Sequence, residues 1–264
     1  IKRMVLTQLP AKTRVIRHVE MSPKQAKAYR EIEQQYTTEI DGELLVTDGN
    51  LAAATRLLQL ASAMCTIDAG ETPEDPKTWH VTLSDPSPKI DELMSIIEDD
   101  PDKPLAIAAD HKQLIDLAAK RLAAAGIEYG VITGGISEIK RAQTIEAFQS
   151  GKLKYLLFTY KAGGVGLNMT AADTLVRLQR SWSLIDNMQG EDRVHRIGSE
   201  VHETVTIIDI ITADTIEERQ VAKLYEKMRR LEEIVRDREQ FMNSSEYDAH
   251  EAEFARLQAS KLFD

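Results

Sequence analysis

The sequence predicts an α/β protein built on a parallel sheet with helices on both faces, and three observations carry that prediction. From about residue 89 onward, short apolar runs alternate with helical stretches of 10–15 residues, the spacing of βαβ units. The runs are apolar throughout, as in Leu105–Ala109 and Tyr155–Thr159, which marks strands buried on both faces. Several of the helical stretches are punctuated by a serine before them or a glycine after them, as at Ser137, Gly126 and Gly151, the usual start and stop signals.

Taken in order, Val15-Ile16-Arg17-His18-Val19 is β-branched and alternating and reads as a strand. Ser22-Pro23 then opens a helix with a hydroxyl cap and a proline in the first turn, and the pattern carries through Tyr29 and Ile32 to about Thr38. A second helix runs from about Leu51 to Met64 with Leu57, Leu58 and Leu60. Residues 66–88 hold Pro73, Pro76, Pro86 and Pro88 among acids and Gly70, and read as an exposed linker. Helix Lys89–Glu98, strand Leu105–Ala109, helix Lys112–Ala125, strand Tyr129–Thr133 and helix Ser137–Gln149 follow. After strand Tyr155–Thr159 come a glycine-rich loop (Ala162–Gly166), strand Thr174–Leu178, helix Leu184–His195 and strand Thr204–Ile211. The stretch 214–260 is helical and highly charged, either a bracing helix or simply a solvated face. The expected organisation is a helical and linker segment over 1–86, an α/β lobe over 87–212 and C-terminal helices over 213–264.

Composition narrows the function classes. Of 264 residues, 42% are hydrophobic, enough for a core, and no run approaches the roughly 20 apolar residues of a membrane span. The lone Cys65 excludes an internal disulfide and fits a reducing compartment, so a cytoplasmic or nuclear protein is expected and a secreted one is not. Six histidines are scattered without ligand spacing, and no metal site is expected. The chain opens Ile1-Lys2-Arg3, without an initiator Met or an apolar leader, and is expected to be part of a longer one. The net charge is −10, yet between 140 and 200 nine cations face six acids. An anion is expected to bind there.

No G-x-x-x-x-G-K-[ST] occurs, so the chain carries no P-loop of its own. Gly163-Gly164-Val165-Gly166 follows a strand but does not fit the dinucleotide pattern. Thr159 and Lys161 fall just past a strand's carboxyl end, where backbone amides and a cation can meet a phosphate. Arg193 and Arg196 are three apart on an expected helix, which would project both guanidiniums from one face toward a transferring phosphoryl group. The same pair also suits an ordinary helix surface.

These segments, Thr159-Tyr160-Lys161-Ala162-Gly163-Gly164-Val165-Gly166-Leu167-Asn168-Met169-Thr170-Ala171-Ala172-Asp173 and Gln189-Gly190-Glu191-Asp192-Arg193-Val194-His195-Arg196-Ile197-Gly198, resemble motifs V and VI of the SWI/SNF-type helicase-like ATPases of superfamily two. The family patterns are roughly S-T-[KR]-A-G-G-x-G-[LI]-N-L-T-A-A-D and D-x-Q-A-x-x-R-x-H-R-[IL]-G-Q. Lys103–Asp110 with Ile132-Thr133-Gly134-Gly135, Leu9-Pro10-Ala11-Lys12 with Met21–Tyr29, Ser87-Pro88-Lys89-Ile90 and Thr215-Ile216-Glu217-Glu218 resemble further stretches of the same motors, so the likeness runs to about residue 236. Departures are Gln179-Arg180-Ser181-Trp182-Ser183-Leu184 in place of D-x-x-W-N-P, Gly190 for Ala, Ser199 for Gln and Met169 for Leu.

The resemblance implies the second RecA-like lobe of an ATP-dependent DNA translocase, whose first lobe would hold the P-loop, ATP and Mg2+. It implies Arg193 and Arg196 as arginine fingers, with Gln189 beside them. Gly164, Gly166 and Asn168 would couple nucleotide to nucleic acid. Asp110, His111, Thr133, Gly134, Thr159, Lys161 and Trp182 would lie along the backbone of double-stranded or branched DNA. For His111 a helix cap is an equal reading, and for Trp182 a core aromatic. A binding module that kept the lobe's fold without catalysis is the alternative for the whole chain.

Overall fold

The computed structural model describes residues 9–47, 49–68, 80–163 and 167–235, with side chains as far as Arg230. In chain order the elements are β1 (Ala11–Val19), α1 (Pro23–Gln35), β2 (Thr37–Ile40), β3 (Glu43–Val46), α2 (Gly49–Ser62), β4 (Met64–Asp68) and β5 (His80–Ser84). Then follow α3 (Pro88–Asp99), β6 (Leu105–Ala109), α4 (Lys112–Ala124), β7 (Tyr129–Ile132), α5 (Glu138–Gln149) and β8 (Tyr155–Thr159). The chain goes on through β9 (Thr174–Arg177), α6 (Leu184–Val194), β10 (Thr204–Thr212) and α7 (Ile216–Val235).

Six strands form one sheet in the order β1-β10-β9-β6-β8-β7, and every pairing in it is parallel. Successive residues of a strand point to opposite faces, and the core divides accordingly. Leu105, Ile107, Ala109, Leu157 and Val176 pack with residues of α1 to α4. Ala106, Ala108, Leu156, Phe158, Leu175 and Ile207 pack with Phe148 of α5 and Val194 of α6. The expected α/β fold with helices on both faces is what forms. Ser22 and Ser137 cap their helices as expected, and Ser87 and Ser183 do the same, each accepting from the backbone N–H three residues on.

Three local expectations are corrected. The strand near Val15 is longer than its β-branched core and pairs along all nine residues with β10, from Ala11↔Thr204 to Val19↔Thr212. The sheet therefore extends outside 87–212, because β10 would otherwise present an unpaired edge. Helix α1 stops at Gln35, not Thr38: Tyr36 turns left-handed with φ 61° and closes on Ile32 O, and Thr37–Ile40 pairs with Glu43–Val46 as a hairpin. Part of the expected linker is ordered, since β5 pairs antiparallel with β4 and buries Val81 and Leu83. Gly70, Pro73 and Pro76 lie outside the described residues, as does everything beyond Val235.

Candidate functional site

In an all-parallel sheet every strand ends on the same side, so the carboxyl rim gathers loops that are far apart in sequence. Asp110 and His111 follow β6, Thr133 and Gly134 follow β7, Thr159 closes β8 with Lys161 just beyond, and Trp182 follows β9. Those four strands, β9-β6-β8-β7, are consecutive neighbours in the sheet. The structure thus brings all seven of these residues to one rim. Lys161, Gly134 and Trp182 are exposed, Asp110 and His111 half-buried, Thr133 and Thr159 buried.

His111 stands at the N-cap position of α4 but makes no capping bond. Its ring Nδ1 lies 2.9 Å from Gln179 Oε1, which also accepts from the His111 backbone N–H at 3.1 Å. Gln179 in turn donates to Ser62 Oγ at 3.3 Å. The glutamine that replaces the family's aspartate therefore ties the β9 loop to the start of α4 and to the end of α2. Trp182 is 40% exposed, which removes the core reading. Asp110 Oδ1, buried without a hydrogen-bond partner, is an acceptor left over at the rim.

The two arginines do not share a helix face as expected. Helix α6 ends at Val194, with His195 at φ −99° and ψ 80° as its cap, so Arg196 sits beyond it on a turn. Arg193 is 7% exposed. Its Nη2 donates to Tyr160 O at 2.8 Å, its guanidinium lies 5.1 Å from the centre of the Phe158 ring, and its Nη1 is buried with no partner. Arg196 is exposed, and among the described residues it makes one long contact, from Nη1 to Leu167 O at 3.5 Å. Gln189 is exposed on α6 and Asn168 half-buried, with a buried Oδ1 that lacks a partner. Gly164 and Gly166 lie outside the described residues.

The charge excess read from residues 140–200 is mostly not a surface. Arg177, Arg180 and Arg193 are all buried. Arg177 Nε and Nη2 donate to the two oxygens of Asp209 at 2.5 and 2.6 Å, and its Nη1 donates to Glu191 Oε1 at 2.7 Å. Arg180 donates to the same aspartate at 2.7 Å and to the Tyr225 hydroxyl of α7 at 3.3 Å. Burial alone would raise the pKa of Asp209 and Glu191. Arg177 and Arg180 around the first, and Arg14, Lys12 and Arg177 around the second, hold both well below the ordinary carboxylate range. A second buried pair lies near the end of β9, where Lys89 Nζ donates to Leu178 O at 2.7 Å, Ile210 O at 3.0 Å and Glu217 Oε1 at 2.5 Å. Sequence reasoning singled out none of these acids and lysines for a role. The signal available was Lys89 standing inside an apolar helical pattern, since a fully buried lysine requires a partner.

The helicase conserved C-terminal domain family matches residues 88–198. The ISWI chromatin-remodeling complex ATPase ISW1 of Saccharomyces cerevisiae is 27% identical over 246 residues, 89% of this chain and 21% of that protein. Among solved structures, the C-terminal part of the Fun30 ATPase domain superposes with a TM-score of 0.64 at 18% identity, over 80% of this chain and 88% of that one. The chain carries the helicase conserved C-terminal domain and is similar to the C-terminal lobes of SNF2-type helicases. The SWI2/SNF2 ATPase core of Sulfolobus solfataricus, solved with double-stranded DNA, superposes with a TM-score of 0.56 at 22% identity, over 80% of this chain and 43% of that one. The chain spans 14–21% of the length of four curated relatives, the yeast protein among them. Among its described residues no helix is long and apolar enough to cross a membrane.

Proposed function

We propose that this lobe works as the second half of an ATP-dependent DNA translocase, closing on a first lobe that carries the P-loop. The observation that supports this best is the carboxyl rim, where four neighbouring strands set out short polar groups and an exposed lysine in a row. Such a row suits phosphate contacts, which position a protein on a duplex without reading sequence. The relative solved with double-stranded DNA favours DNA as the partner.

Two donors fit the phosphates of ATP. Arg196 is exposed and reaches the cleft once the lobes meet. Arg193 Nη1, buried without a partner, is the donor left for a phosphate oxygen beside it. Gln189 lies four residues before Arg193, one turn back on α6, and Asn168 supplies a free acceptor at the loop below. Magnesium is assigned, with the P-loop, to the first lobe, where one or two carboxylates and the phosphates of ATP would hold it. This lobe's part is to stabilise charge that spreads over the transferring phosphoryl group, the role that makes such arginines worth about 10³–10⁵ in rate. A cytoplasmic or nuclear setting belongs to the same reading.

The test is phosphate release with and without duplex DNA, by the two-lobe protein and by this chain alone. DNA-stimulated turnover by the two-lobe protein and none by the chain is expected. Turnover by the chain alone would overturn the division of labour, and a two-lobe protein that bound DNA without any turnover would favour a binding module.

A further inference from the structure

Glu191 occupies the last turn of α6, two residues before Arg193 and five before Arg196, and is 5% exposed. Its carboxylate receives Lys12 Nζ at 3.2 Å and Arg14 Nη2 at 2.7 and 2.8 Å, both from β1, and Arg177 Nη1 at 2.7 Å from β9. Its own carbonyl accepts the final helical bond, from His195 N at 2.9 Å. The chain of charges continues from Arg177 to Asp209 of β10, then to Arg180 and the Tyr225 hydroxyl of α7.

Such a network is a poor way to gain stability, since apolar side chains of the same volume often do as well or better. What it fixes is geometry. Three cations from two strands hold a single carboxylate at the point where the helix ends, and the turn that bears Arg196 starts there. Among the described residues Arg196 makes one long contact, to Leu167 O, and its backbone follows directly from the turn that Glu191 anchors.

We propose that Glu191 is a positioning residue: clamped by Lys12, Arg14 and Arg177, it sets the last turn of α6 and so aims Arg196 at the transferring phosphoryl group. The inference rests on the motor reading above. It gives β1, which lies upstream of the matched family segment of residues 88–198, an indirect hold on Arg196, through Glu191.

The experiment compares Glu191→Gln, Arg14→Gln and Arg196→Ala in the two-lobe protein, measuring kcat and KM for ATP with saturating duplex DNA, with thermal unfolding of each variant alongside. Misplacing a catalytic group by about 1 Å costs up to ~100-fold. Glu191→Gln is therefore expected to lower kcat by about tenfold or more, with KM for ATP and the DNA affinity within about threefold. Arg14→Gln leaves Glu191 ionised between Lys12 and Arg177, and a smaller fall of the same kind is expected; it decides the matter if Glu191→Gln does not fold. If Arg196→Ala lowers kcat while folded Glu191→Gln and Arg14→Gln both keep it within about twofold, the clamp is wrong and the motor reading stands. If Arg196→Ala itself leaves kcat unchanged, the motor reading fails first and takes the clamp with it.

Discussion

The ring of Tyr160 lies where a side chain on Gly190 would have to go: a β-carbon there would sit 2.7 Å from Tyr160 Cε1 and 2.9 Å from Cδ1. Real β-carbons do not approach that closely, so the two residues are a matched pair. The family pattern has threonine and alanine at these places, and the glycine in α6 is explained by the larger ring in the loop after β8. Phe158 meets the same ring edge-on, with centroids 6.3 Å apart.

Gly190→Ala is therefore expected to destabilise the lobe. Forcing a methyl into a filled site costs about 1–3 kcal/mol, and the gain in helix propensity returns at most about 1 kcal/mol. In a Tyr160→Thr background the same change should be neutral or stabilising, and urea unfolding of the four proteins measures the coupling. Equal effects in both backgrounds would mean that the ring yields.

Tyr160→Phe is expected to keep or raise stability. The hydroxyl is buried without a hydrogen-bond partner, and burial pushes its pKa up, both signs of a polar group that lost its water without gaining a partner. Removing it relieves a desolvation cost of about 1–3 kcal/mol. A clear loss in thermal stability would show that the hydroxyl is satisfied after all.

Asp209 and Glu191 set the acid response. Their folded pKa values lie below those of the unfolded chain, about 3.9 and 4.3, so their contribution is present above that range and is lost as pH falls through it. Between the unfolded and folded values the unfolded state binds more protons, and stability drops by up to about 1.4 kcal/mol per pH unit for each group. At pH 7 Asp209→Asn should cost about 3–5 kcal/mol, because it leaves Arg177 and Arg180 buried against a neutral amide. Its deficit should narrow below about pH 4. Urea midpoints at pH 7, 5 and 3 decide this, and a constant deficit would contradict it.

The two arginines should separate in stability as well as in rate. Arg196→Ala, at an exposed turn, is expected to leave the unfolding midpoint of the chain within about 0.5 kcal/mol of wild type. Arg193→Ala removes the bond to Tyr160 O and the contact with Phe158, and should cost about 2 kcal/mol. Calorimetry on the chain alone tests this without any assay of turnover.

Lys161→Ala should weaken duplex binding about equally on all sequences and flatten the salt slope by about one. Anisotropy titrations of a labelled duplex at several salt concentrations read both. A sequence-dependent loss would mean that Lys161 meets bases rather than phosphates.

The sequence by itself determined the sheet's central strands and most of the helices after residue 88, because their signals are local. An apolar run buried on both faces, a serine cap and a glycine stop each act within a few residues of where they stand, and Leu105–Ala109 and Tyr155–Thr159 formed with the boundaries their composition gives. It also placed Thr159 and Lys161 at a strand's carboxyl end, while the other rim residues came from the family resemblance. What only the tertiary structure decided were relations between distant segments. β1 found its place beside β10, 193 residues away at Ala11↔Thr204, because a sheet edge is completed by whichever strand the fold delivers. Arg177, Arg180 and Arg193 became interior residues, and Arg196 stayed outside, although all four look alike in sequence. A guanidinium is buried where carboxylates, carbonyls or an aromatic ring meet its donors, and Asp209, Glu191, Tyr160 and Phe158 are brought to those donors only by the folded sheet.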